Sequence, residues 1–168
     1  MNMTKPVIVL TVICIVCSAL LGATYTATAP LIAASEKAAS DAAMIEVLPG
    51  AASFTEIPVE LEGVLTVAKD DGGLGYAFKV QDKGFGGAYT IMVGISSDGK
   101  VTGAKLLDNS ETPGLGSKTG SADFIQRFVG VESSGVEGVQ AITGATISSN
   151  AFKRCVQTAY TAFDSVNA

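Results

Sequence analysis

Hydrophobic and polar positions divide this chain into three stretches of different character. From residue 6 to residue 35 no side chain is charged, and residues 7–23 are predominantly apolar. At about 1.5 Å per helical residue, some twenty residues cross a hydrocarbon core of roughly 30 Å, so the pattern predicts a membrane-spanning helix. Residues 36–48, rich in Ala, Glu and Lys, predict a helix that continues from the span after a break at Pro30 and stops at Pro49-Gly50. Ala27-Thr28-Ala29 also has the form of a signal-peptide cleavage site. The apolar run exceeds the usual h-region, however, and Pro30 would follow the cut; both favour a retained anchor.

The middle stretch alternates. Residues 59–69, 75–80, 89–96 and 101–107 read as short strands separated by Gly and Asp turns, with Asp98-Gly99 marking a hairpin. Residues 108–120 form a loop rich in Gly, Ser and Thr. A short helix follows over 122–129, with Phe124, Ile125 and Phe128 on one side. In the last helix, residues 150–163 carry Phe152, Cys155, Val156, Ala159, Tyr160 and Phe163 at spacings of three and four, the mark of a stripe buried in a core. Strands first and helices last predict an α+β class: one transmembrane helix, then one domain with a mostly antiparallel sheet and a C-terminal helix. The predicted organisation is an N-terminal segment 1–6, an anchor 7–29, a connecting helix 30–50 and a globular domain 51–168.

Composition narrows the chemistry. The chain has 11 basic and 16 acidic residues, a net charge of −5, which disfavours a nucleic-acid surface because no cluster of Lys and Arg replaces phosphate counterions. It contains no His, which removes the usual Ser-His and Cys-His nucleophile pairs and His-based metal sites. Cys14 and Cys17 form a C-x-x-C inside the apolar run, facing lipid or a neighbouring helix, and Cys155 falls on the buried stripe, so no metal or disulfide centre is predicted. There is no nucleotide-binding fingerprint and no cysteine cluster for iron–sulfur. Chemistry must come from carboxylates, hydroxyls, Lys or a bound cofactor.

Two segments carry candidate chemistry. Thr143-Gly144-Ala145-Thr146-Ile147-Ser148 precedes the last helix, with Thr146 one or two residues before the predicted start. A phosphate ester on Thr146 would lie near the positive end of the helix dipole, among unpaired N–H groups. An ordinary N-cap and tight turn has the same composition. Upstream, Glu111-Thr112-Pro113-Gly114-Leu115-Gly116 offers a carboxylate, a hydroxyl and one Leu between two glycines, a platform for a flat heteroaromatic ring. A plain Pro-Gly turn is the alternative.

In this order and at this spacing, the two segments resemble the covalent FMN-binding domain of the Rnf and Na+-pumping NADH:quinone reductase complexes. The likeness spans roughly residues 50–168 plus the anchor. The G-subunit family of Rnf is the nearer of the two, and the C-subunit family of the quinone reductase is its relative. The resemblance implies a phosphodiester between FMN and Thr146, with Glu111, Thr112, Gly114, Leu115 and Gly116 lining the ring. Thr143, Gly144, Ala145 and Ser148 would surround the phosphate. Lys118 is a further candidate beside the ring or phosphate, and residues 85–89 either border the ring or simply link two strands.

It also implies no catalytic residue of the chain's own. The partners it implies are other membrane subunits, a flavin transferase for maturation and lipid around the anchor. The activity implied is electron relay in an ion-translocating oxidoreductase acting between ferredoxin and NAD. The alternatives are the corresponding subunit of the quinone reductase, an anchored FMN-binding module of another reductase, and a purely structural interaction domain. One position departs from the family pattern: Gln140 stands where Asp usually lies three residues before Thr143. Lys5 and the N-terminal amine precede the span, whereas Glu36, Lys37, Asp41 and Glu46 follow it, so the positive-inside tendency predicts a cytoplasmic N-terminus and an outward-facing domain.

Overall fold

The computed structural model describes residues 4–167. Contacts divide the chain into two compact units, one ending at Ala38 and the other beginning at Ala39. The first unit is a helix, part of α1 (Thr4–Val47). Its apolar side chains, from Val7 to Leu21, are exposed, and α1 is long and apolar enough to cross a membrane. The break predicted at Pro30 is absent, because the helical pattern continues through it. A proline inside a helix costs about 3 kcal/mol. Helix formation is cooperative, and the long helical runs on both sides outweigh that cost.

In the second unit, five strands form one sheet in chain order. They are β1 (Phe54–Ile57), β2 (Val64–Asp70), β3 (Gly75–Lys83), β4 (Ala88–Ser96) and β5 (Val101–Asn109). Every neighbouring pair is antiparallel. Three predicted strands are present and slightly longer. The predicted strand 59–69 begins later than expected, at Val64, and β1 was not predicted. That edge strand has four residues, exposes Thr55 and Glu56, and is followed by Pro58, so it shows no apolar alternation.

Alternation along the strands gives the sheet two buried faces. Tyr76, Phe78 and Val80 of β3 and Tyr89, Ile91, Val93 and Ile95 of β4 pack beneath α3 (Thr146–Asn167). The predicted stripe of α3 is buried, with Phe163 partly so. Phe152 joins Phe124 and Phe128, with ring centroids 5.3 and 4.8 Å away. The short helix α2 covers only Ala122–Ile125; the residues after it turn, and Gly130 adopts a left-handed φ of +80°.

The opposite face receives the end of α1. Ala43, Met44 and Val47 cluster with Ala68, Ala77 and Met92. Gly94 and Gly103, paired across β4 and β5, let the helix backbone approach: a Cβ on Gly94 would strike the Val47 carbonyl, and one on Gly103 would lie 3.1 Å from it. The Thr102 hydroxyl donates to that same carbonyl at 2.5 Å, and Lys105 pairs with Glu46. The sheet is therefore covered on both faces.

The order of the meander sets the site's location. β3 ends, β4 begins and β5 ends at one end of the sheet, so the β3–β4 loop and the segment after β5 emerge together. Near that end the register shifts: Thr90 faces Asp108 while Ile91 faces Leu106, leaving Leu107 as a bulged residue. Bulges re-aim a strand end. Gly94→Ala is expected to lower stability by about 1–3 kcal/mol through overpacking against Val47. Gly138→Ala, facing open space, should leave the thermal unfolding midpoint unchanged, and equal midpoints for the two variants would refute close docking of the α1 end.

Candidate functional site

Three segments meet at this end of the sheet: the β3–β4 loop, the loop after β5 and the start of α3. They enclose a cleft of about 350 Å3 lined by Phe85, Glu111, Thr112, Leu115, Gly116, Gly144, Ala145, Thr146, Ile147 and Ser148. That volume falls at the lower end of the roughly 300–1,000 Å3 typical of small-molecule sites.

Glu111 fastens the three segments together. Its residue is only 7 % exposed. Oε1 accepts the backbone N–H of Phe85 at 2.7 Å and, more weakly, that of Gly86 at 3.4 Å. Oε2 accepts the hydroxyl of Ser148, in the first turn of α3, at 2.5 Å. The packing around this carboxylate leaves no room for side chains. A Cβ on Gly84 would collide with Oε1, and one on Gly116 would collide with Oε2 and come within 2.5 Å of the Ser148 hydroxyl oxygen.

Beneath Glu111 a second polar chain continues inward. The Thr119 hydroxyl donates to the Gly116 carbonyl at 2.6 Å and lies 2.5 Å from the hydroxyl of Tyr89. Burial raises the Tyr89 phenol above its ordinary range, so it stays protonated. Thr119 and Gly116 belong to a 3-10 turn, Gly116–Gly120, inside what was predicted as plain loop. That turn directs Gly116 and Thr119 inward and leaves Lys118 exposed and away from the cleft lining.

The start of α3 also differs from expectation. Thr146 is the first helical residue rather than a residue before the helix. Ala145 occupies the cap position without a capping side chain, and Ser149 supplies the missing polarity from within. Its hydroxyl accepts the Ile142 N–H at 3.0 Å and donates to the Ala145 carbonyl at 2.9 Å. Gly144 turns the chain with a left-handed φ of +82°. Thr146 itself is exposed at the cleft, and the first N–H groups of a helix have no intrahelical partner.

Of the residues singled out from sequence, Glu111, Thr112, Leu115, Gly116, Gly144, Ala145, Thr146 and Ser148 are brought together in the cleft. Gly114, Lys118 and Thr143 lie outside its lining. Phe85, weighed as a border of the ring, does line it. Ile147 was missed, although an apolar residue out of phase with the buried stripe is a signal for it. Phe85, Leu115 and Ile147 are 67 %, 50 % and 54 % exposed, an apolar rim that the core leaves uncovered. Gln140 is exposed, and its carbonyl accepts from Arg127 at 2.9 Å. Cys155 is fully buried, and burial pushes its thiol up to about 12, so it supplies no thiolate at neutral pH.

The FMN-binding domain family matches residues 84–161, which contain the whole cleft, and the RnfG N-terminal region matches residues 1–47. A Methanosarcina acetivorans protein, named as the G subunit of an ion-translocating oxidoreductase complex, is 34% identical, with 99% of this chain and 96% of the relative covered. An Acetobacterium woodii protein, named as the G subunit of a Na(+)-translocating ferredoxin:NAD(+) oxidoreductase complex, is 31% identical over 86% of this chain and 83% of its own. A Clostridium ljungdahlii protein, named as the G subunit of a proton-translocating ferredoxin:NAD(+) oxidoreductase complex, is 28% identical, at 89% and 85% coverage.

Removing one donor to Glu111 tests the junction. Ser148→Ala should destabilise the domain by about 1–3 kcal/mol, the range for leaving a buried polar group without its partner. Thr146→Ala, at an exposed position, should stay within about 0.5 kcal/mol. Thermal or denaturant unfolding reads both, and equal stabilities would remove Glu111–Ser148 from the account.

Proposed function

Since the chain belongs to the family of G subunits of ion-translocating oxidoreductase complexes, we propose that it carries FMN on the Thr146 hydroxyl and passes electrons within such a membrane complex. The observation that carries the reading is the position of Thr146: an exposed hydroxyl on the first residue of a 22-residue helix, beside a cleft with an apolar rim.

The cleft residues fit the group. Thr146 offers the oxygen for a phosphodiester, formally FMN joined with loss of one water. The N–H groups of the first turn of α3 would offer a phosphate there the positive end of the helix dipole. Leu115, Phe85 and Ile147 give an apolar surface for a flat ring, while the small Gly144 and Ala145 allow close approach. When bound, FMN supplies one- and two-electron exchange, and the protein's part is to hold and orient it. No general acid or base is required of the chain.

A flavin transferase reaches Thr146 because the hydroxyl is exposed, and Gln140, also exposed, lies where the family pattern carries a carboxylate. The complex is of the ferredoxin:NAD oxidoreductase type, as in the names of the relatives, with other integral subunits as partners and lipid around α1. The globular domain faces outward, since Lys5 precedes the span and the acidic residues follow it. On that side a dissociated cofactor would be lost, and a covalent bond fixes its occupancy.

Co-expression with the transferase should yield a chain heavier by one FMN less one water, fluorescent in a denaturing gel. Thr146→Ala should abolish both signals, and an adduct persisting in that variant would refute the site. If the transferase favours a carboxylate, Gln140→Asp will raise the modified fraction measured by intact mass from a partly modified starting level. An unchanged fraction would show that Gln serves equally.

A further inference from the structure

We propose that Glu111 lowers the reduction potential of the flavin in the cleft by placing a fixed negative charge beside it; this rests on the FMN reading above. Glu111 is the one ionisable residue lining the cleft among the described residues. Backbone N–H groups can only donate, so the bonds from Phe85 and Gly86 make Oε1 an acceptor, and the Ser148 hydroxyl makes Oε2 one as well. A carboxylate, which only accepts, is satisfied by these three partners. Among the described residues the ion pairs join Lys100 to Asp98, Lys105 to Glu46 and Arg154 to Asp82, and none involves Glu111. Its charge is held by hydrogen bonds alone and is not cancelled by a cation.

An isoalloxazine that takes up two electrons and one proton gains one net negative charge. A carboxylate lining the same cleft, largely shielded from water, makes that gain less favourable. The N-terminal end of α3 acts in the opposite sense, with about half an elementary charge. With a full charge set against that half charge, Glu111 has the larger effect in this proposal. Glu111 is thus a positioning residue with an electrostatic effect, separate from any proton transfer.

Glu111→Gln separates the two roles. The amide oxygen can still accept from Phe85 and Gly86, and the amide N–H can donate to Ser148, so the junction is kept while the charge is removed. The measurement is spectroelectrochemical titration of the flavin on the full chain, matured with its transferase, alongside intact mass and the unfolding midpoint. The expected result, read on the flavin-carrying fraction whatever its yield, is a potential shifted upward. An intact adduct with an unchanged or lowered potential overturns the proposal and leaves the FMN reading standing. Wild-type chain without flavin overturns both.

A second measurement needs no variant. The flavin on the folded chain should have a lower potential than the same flavin on the proteolytic peptide containing Thr146. An equal or higher potential on the folded chain overturns the proposal even where Glu111→Gln fails to fold.

Discussion

A buried carboxylate satisfied by hydrogen bonds alone holds the functional end of this domain together. Glu111 accepts from the β3–β4 loop through Phe85 and Gly86 and from the first turn of α3 through Ser148. Such a group is costly to bury, and the cost is met only when its donors stay in place. The cleft is therefore defined by a non-local junction and not by any one loop. Gly84 and Gly116 follow from it, because a side chain at either position would enter the space of the carboxylate.

The rest of the fold delivers the three segments to that junction. The meander brings the end of β3, the start of β4 and the end of β5 to one end of the sheet. The aromatic cluster of Phe124, Phe128 and Phe152 and the buried stripe fix α3 against one face, so Thr146 is presented by a rigid helix. On the other face, Gly94 and Gly103 admit the end of α1. The last turns of that helix, from Ala43 to Val47, are thereby part of the core of the domain that carries the site.

Much of this was legible in the sequence, where the governing interactions are local or periodic. The α3 stripe, the Asp98-Gly99 hairpin and the central strands follow from spacings of three, four and two. The two glycine-containing segments showed their resemblance through residue type and order. What was not legible depended on contacts between distant positions. Glu111 meets Phe85 across 26 residues and Ser148 across 37, so its role as a junction cannot be read from its neighbours. The helix start at Thr146 was hidden because Ser149, inside the helix, organises the turn that Gly144 and Ala145 suggested. β1 lacked alternation, and the Pro30 break was expected from a local penalty that a long cooperative helix absorbs.

In the proposed function this junction presents one hydroxyl, that of Thr146, for the flavin phosphate. Tandem mass spectrometry of a digest of natively matured chain tests it most directly. The expected result is the flavin phosphoryl mass on the peptide containing Thr146, with fragment ions placing it on that residue and not on Thr143 or Ser148. An unmodified peptide, or fragments that place the adduct on another residue, would contradict it.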